Sequence, residues 1–191
     1  MTNQKMGKLF IISGPSGAGK STILGHVLDK MPEIYFSISA TTRAKRPGEV
    51  HGEHYHFISQ EEFDRLAEEG GLLEYARYVG NSYGTPASPI QEKLNAGVNV
   101  LLDIEVQGAE QVKEKMPEAI AIFLSPPTLE VLETRLRDRG TDTEEKIRNR
   151  LETAKRELEQ VERYDYLVVN DTIEEAVNEV ETIINSGGTP K

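Results

Sequence analysis

The sequence contains no cysteine, so it builds neither a disulfide framework nor a thiolate metal site, in keeping with a reducing compartment. No apolar run approaches the roughly 18 residues that a membrane-spanning helix needs. The opening residues MTNQKMGKLF also lack the apolar core of a secretion signal. The expectation is a cytoplasmic protein that does not engage a membrane. Basic charge is scarce too: 22 Lys and Arg against 32 Asp and Glu give a net charge of −10. A polyanion must be met by clustered cations, so nonspecific nucleic-acid binding is not expected. Basic residues nevertheless gather at Arg43 to Arg46 and between Arg135 and Arg150. Two basic islands in an acidic chain point to small anionic ligands.

What is present is an alternation of strands and helices in a 191-residue chain, a length that suits one domain. KLFIIS (8–13), VNVLLD (98–103), AIAIFLS (119–125) and YLVVN (166–170) are short, apolar and rich in β-branched residues. Helical spacing follows three of them, at Ile23, Leu24, Val27 and Leu28, at Leu129, Leu132 and Leu136, and at Ile173, Val177, Val180 and Ile184. The segment NDT precedes the last stripe and is placed to cap it. Apolar strands alternating with helices imply an α/β fold, a parallel sheet with helices on both faces. Two stretches break the rhythm. Residues 35 to about 90 alternate polar and apolar positions and read as an inserted subdomain. Residues about 138 to 160 read as a helical lid, opened by a Thr141-x-x-Glu144 capping box and carrying Ile147, Leu151, Ala154 and Leu158. The core is then 1–34, 91–137 and 161–191.

The first strand runs into Gly14-Pro15-Ser16-Gly17-Ala18-Gly19-Lys20-Ser21-Thr22, which fits Gly-x-x-x-x-Gly-Lys-Ser. Glycines let successive backbone N–H groups point inward, and the following helix adds its positive N-terminus, so the loop cradles phosphate. Lys20 reaches toward the terminal phosphates, and the Ser21 hydroxyl suits Mg²⁺. Strand, loop and amphipathic helix in register point to nucleoside triphosphate binding without naming the acceptor. Asp103 closes another apolar strand, where a carboxylate serves either as a simple turn residue or as the metal-steadying partner of such a loop.

The motifs GPSGAGKST, SISATTRAKRPGEVHGEHYHF, EYARYVGNSYGTP, LLDIEVQG and RGTDTEEKIRNRL occur in that order. In that order and spacing the chain resembles the guanylate kinases from about Lys8 to about Ile184. The resemblance implies phosphoryl transfer from ATP to GMP with Mg²⁺, an inserted GMP-binding subdomain, and no obligate protein partner. It places Arg43, Arg46, Tyr55 and Tyr83 on the GMP phosphate, and Ser39, Glu74, Thr85 and Glu105 around guanine. The chemistry agrees. Arg offers a planar fork of donors to a phosphate, although TTRAKR alone also fits a solvated basic turn. Guanine presents an N1–H and an N2 amino group on one edge, which one carboxylate accepts and adenine does not offer. Many members of the family carry Asp where this chain has Glu105, so its reach is one methylene longer.

Charge developing during transfer calls for cations. Arg137 has Glu133, and Arg148 has Glu144, four residues earlier, a spacing that pairs them on a helix surface. Arg150 has no acidic neighbour at three or four residues, so an external anion is the expected partner. The resemblance independently places phosphate-binding arginines at Arg139 and Arg150. With Lys20 and Arg43 they form the expected catalytic set, acting by direct in-line transfer. His51, His54 and His56 lack a companion cluster of metal ligands and read as strand histidines. Two rivals remain: a small P-loop kinase for another acceptor, and a guanylate-kinase-like interaction module without chemistry. The presence of Lys20, Ser21 and the lid arginines favours an enzyme.

Overall fold

Leu9–Ser13 is apolar on both faces and becomes β1, the central strand of the computed structural model, which describes residues 6–78, 80–138, 140 and 142–189. Along the chain follow α1 (Lys20–Lys30), β2 (Tyr35–Phe36), β3 (Ala40–Thr41), β4 (His56–Phe57), α2 (Gln60–Glu68), β5 (Leu72–Tyr78) and β6 (Asn81–Pro86). Then come α3 (Ala87–Asn95), β7 (Val100–Asp103), α4 (Val106–Lys115), β8 (Ile120–Ser125) and α5 (Leu129–Asp138). The chain closes with α6 (Glu144–Leu158), β9 (Tyr166–Val169) and α7 (Ile173–Ser186).

The main sheet has the order β2-β7-β1-β8-β9, with every neighbouring pair parallel. Successive strand residues face opposite sides. Phe10 and Ile12 therefore pack with Ile23, Leu24 and Val27 of α1 and Val177, Val180 and Ile184 of α7. Leu9 and Ile11 pack on the other face with Ile90 and Leu94 of α3 and Val112 of α4. A parallel sheet covered on both sides is the expected architecture. Its edge strand β2 was not expected from the sequence. Two residues are too short to register as an apolar run, yet Tyr35 and Phe36 pair with Val100 and Leu101 in the main sheet.

A second sheet, β4-β3-β6-β5, is built from residues between β2 and α3. It is fastened to the main layer through α4. Lys115 Nζ donates to Leu72 O at 3.0 Å, and the Gln111 amide exchanges bonds with the Tyr75 backbone at 3.1 and 3.2 Å.

Helices α5 and α6 share a separate small core of Leu132, Leu136, Ile147 and Ala154. The start of α6 corrects the sequence reading. Thr143 is the N-cap, its hydroxyl accepting from Lys146 N at 3.4 Å, while Thr141 lies outside the described residues. With Lys146 at the third helical position, no glutamate returns the bond. At α7 the N-cap hydroxyl does meet a glutamate at the third helical position. The Thr172 hydroxyl accepts from Glu175 N at 3.3 Å and donates to Glu175 Oε2 at 2.7 Å.

Candidate active site

The loop between β1 and α1 has a backbone that only glycine accommodates. Gly14 sits at φ +146°, and a Cβ there would stand 2.1 Å from Leu124 O. Gly19 occupies the α1 N-cap at φ +95°, with no side-chain cap and no acidic residue in the first turn. The first N–H groups of α1 therefore have no side-chain acceptor, the condition for holding an anion. Pro15 O accepts from Ala18 N at 3.0 Å, which closes the turn around Ser16 and Gly17. Lys20 Nζ donates to Gly14 O at 2.6 Å, while Ser21 and Thr22 are exposed on the first turn.

Two residues that the sequence reading missed brace this loop from behind. Asn170 Nδ2 donates to Ala18 O at 2.7 Å, and Arg135 Nη2 donates to Asn170 O at 2.9 Å. Asn170 follows β9 directly, so strand-end position was the available signal. Asp103 lies opposite Ile12 in the register, at the mouth of the loop. Burial pushes its carboxyl up, with Lys20 pulling it back down and Glu105 adding a smaller rise.

A second cluster lies on the smaller sheet and α4. Glu74 on β5 is 8% exposed, and Thr85 on β6 donates its hydroxyl to Glu74 Oε1 at 2.6 Å. Burial raises the Glu74 carboxyl, against Thr85 and Lys115, which lower it. Gly108 allows α4 to come this close, since a Cβ there would stand 2.8 Å from Glu74 Oε2. Glu105 caps α4 by position but makes no side-chain capping bond, and it interacts with both Glu74 and Asp103. Ser39 is partly exposed, and its carbonyl accepts from His56 N at 2.9 Å.

Arg43 meets its expected companions. Its guanidinium carbon lies 5.5 Å from the centre of the Tyr55 ring, and the Tyr55 and Tyr83 rings are 6.2 Å apart, edge to face. The Tyr55 hydroxyl is raised by burial first and then by Tyr83, with Arg43 lowering it. The Arg46 side chain is exposed, and its backbone N–H donates to Glu49 Oε2 at 2.7 Å. His54 Nδ1 and His51 Nδ1 accept from Val50 N and Phe57 N at 3.0 and 3.1 Å, which gives these two histidines structural roles.

The arginine stretch differs from its sequence reading. Arg139 lies outside the described residues. Arg150 does have a partner: its Nη1 donates to Asp142 Oδ2 at 2.5 Å. Helical spacing misses this pair because Asp142 precedes α6 and the chain folds back alongside it. Glu144 bonds Arg137 rather than the expected Arg148, and Arg137 also holds Glu133 at 2.7 Å as anticipated.

Glu157, in the last turn of α6, is pushed up to about 7 by burial and then by Glu105, while Lys20 opposes the shift. A carboxyl raised in the folded state favours folding below its ordinary value, and that contribution is lost as pH rises through about 7. Glu157→Gln is therefore expected to be more stable than the parent at pH 8 by about 1 kcal/mol, after discounting for solvent screening. Below about pH 4 the two should coincide. Urea midpoints at the two pH values test this, and equal midpoints at pH 8 would refute it.

A glycine loop between a parallel strand and helix, with a carboxylate on the adjoining strand and a second sheet inserted beside it, defines a P-loop nucleotide kinase fold. The guanylate kinase family model matches residues 6–187. Guanylate kinases from Oceanobacillus iheyensis and Streptococcus thermophilus are each 50% identical to this chain, over 96% and 94% of it and 89% and 87% of their own lengths. The crystal structure of guanylate kinase from Anaplasma phagocytophilum superposes with a TM-score of 0.77 at 34% identity, covering 98% of this chain and 89% of that one. The chain belongs to the guanylate kinase family.

Proposed function

We infer that this protein transfers the γ-phosphoryl group of ATP to GMP, giving ADP and GDP, in purine nucleotide metabolism. One observation carries the choice of acceptor: the buried Glu74–Thr85 pair shares β5 and β6 of the small sheet with Tyr83, and Arg43 and Tyr55, beside the ends of β3 and β4, group with Tyr83. In this reading the ionised Glu74 accepts from guanine N1 and N2, with Thr85, Ser39 and Glu105 around the base. Arg43, Arg46, Tyr55 and Tyr83 hold the acceptor phosphate, so that one acceptor oxygen faces the donor. Residues 14–22 hold the ATP phosphates through backbone N–H groups, and Lys20 swings from Gly14 O to the β- and γ-phosphate oxygens. Arg139 and Arg150 neutralise the transferring group, Arg150 exchanging Asp142 for phosphate.

The donor set fits Mg²⁺. Among the described residues no group of three or more His, Cys, Asp or Glu side chains gathers to hold a metal. The chain instead supplies the Ser21 hydroxyl and the Asp103 carboxylate, and leaves the other positions to water and phosphate oxygens, as Mg²⁺ prefers. When bound, Mg²⁺ would screen the charge shared between the β- and γ-phosphates.

The insertion (about 35–90) and the lid (about 138–160) are read as moving toward the core when both nucleotides bind, which excludes water as a competing acceptor. X-ray scattering should then give a smaller radius of gyration with both nucleotides present, and identical profiles would count against closure. No helix among the described residues is long and apolar enough to cross a membrane. ADP release measured with ATP and Mg²⁺ against GMP, AMP, UMP and dTMP tests the assignment. Turnover should be confined to GMP, and equal rates with AMP would overturn it.

A further inference from the structure

Glu49 stands three residues after Arg46, in the segment Arg46-Pro47-Gly48-Glu49. Proline second and a positive-φ glycine third are the signature of a type II turn. Gly48 has φ +86°, and Glu49 N donates to Arg46 O at 3.2 Å, which closes that turn. The turn brings the Glu49 carboxylate back against Arg43. Arg43 Nη2 donates to Oε1 at 2.7 Å and Nη1 to Oε2 at 3.0 Å, an end-on bidentate pair. Oε2 also accepts from Arg46 N at 2.7 Å. Both side chains are largely covered, at 12% and 17% exposure. The bond to Arg43, then that to Arg46 N, holds the Glu49 carboxyl at about 2, so it is ionised throughout the working pH range.

An anion bound to the arginine that is meant to receive the acceptor phosphate could be a competitor or a support. Counting donors separates the two. A guanidinium has five N–H groups. Nη1 gives one to Glu49 and one to Ala44 O at 2.8 Å, and Nη2 gives one to Glu49. The second Nη2 proton and the Nε proton are left by Glu49 and Ala44, and the guanidinium also meets the Tyr83 hydroxyl, itself one of the groups expected on the acceptor phosphate. The two protons lie parallel on one edge of the guanidinium, the side-on fork that fits two oxygens of a phosphate. The faces of the plane are restricted as well, with the Tyr55 and Phe57 ring centres 5.5 and 5.6 Å from the guanidinium carbon.

We propose that Glu49 is a positioning residue: it clamps the end-on edge of Arg43 so that the side-on edge is presented, already oriented, to the phosphate of the acceptor nucleotide. The proposal rests on the reading that Arg43 binds that phosphate. Without the clamp the guanidinium must be ordered at the moment of binding, which weakens capture of the acceptor and leaves the donor site untouched.

Steady-state kinetics of Glu49→Gln, Arg43→Ala and the double variant test it. Glu49→Gln should raise the KM for GMP about 10- to 100-fold, the range set by a hydrogen bond to a charged group, with kcat changed by less than about threefold and the KM for ATP unaltered. In the Arg43→Ala background the same change should add less than about twofold, because its effect passes through Arg43. An unchanged or lower KM for GMP in Glu49→Gln would overturn the proposal, the lower value identifying the carboxylate as a competitor. An undiminished effect in the double variant, or equal rises for ATP and GMP, would overturn it as well. If Arg43→Ala alone leaves the KM for GMP unchanged, the phosphate assignment itself falls, and the proposal with it. Should Glu49→Gln fail to fold, Glu49→Asp, which keeps the charge and shortens the reach, is measured with the same expectations.

Discussion

Lys20→Ala is expected to lower kcat for GMP phosphorylation by about 10³-fold, while the KM for ATP rises by no more than about tenfold. The asymmetry follows from how the loop is built. Its phosphate cradle is backbone, shaped by Gly14 and Gly19 and braced by Asn170 and Arg135, and none of that depends on the lysine side chain. Lys20 is partly exposed and donates to Gly14 O, so it stands ready to exchange that carbonyl for phosphate oxygens. Its charge matters most when negative charge shifts toward the leaving oxygen, which is a kcat effect rather than a binding effect. A surface substitution of this kind should leave thermal stability within about 0.5 kcal/mol of the parent. Single-turnover measurements with saturating ATP and GMP test it. Unaltered turnover would remove Lys20 from the chemistry.

The parts of this molecule legible in the sequence are those encoded locally. The phosphate loop is nine consecutive residues running from the end of a strand into the first turn of a helix, and the four longer strands of the main sheet each form an apolar run of their own. The resemblance puts Glu74 and Thr85, with Ser39 and Glu105, around one base, and the Glu74–Thr85 contact at 2.6 Å joins neighbouring strands of the same sheet. What escaped notice depends on the chain returning to itself. Strand β2 is two residues long and gains its identity only from pairing with β7. Asp142 reaches Arg150 from outside the helix, so a search at three and four residues passes over it. Asn170 and Arg135 brace the loop across sequence separations above one hundred. Glu49 was the exception, a missed residue whose turn signature was in plain view as Arg-Pro-Gly-Glu.

Glu74→Gln should reduce kcat/KM for GMP by about three orders of magnitude while leaving the much lower value for AMP nearly unchanged. A buried carboxylate offers only acceptors, and the guanine edge offers only donors there. The amide places an NH₂ against one of those donors and loses the charge that strengthens both bonds. Thr85 donates to Oε1, which leaves Oε2 and the second lone pair of Oε1 for the base, so the substitution disturbs the support as well as the contact. The pH dependence gives an independent check on the same residue. Burial raises the Glu74 carboxyl, so acidification protonates it sooner than an exposed glutamate and converts an acceptor into a donor. The KM for GMP of the parent should therefore climb as the medium is made acidic, with little change in the KM for ATP, and in Glu74→Gln that climb should vanish. A variant retaining both the parental preference for GMP and its acid sensitivity would place guanine recognition elsewhere on the protein.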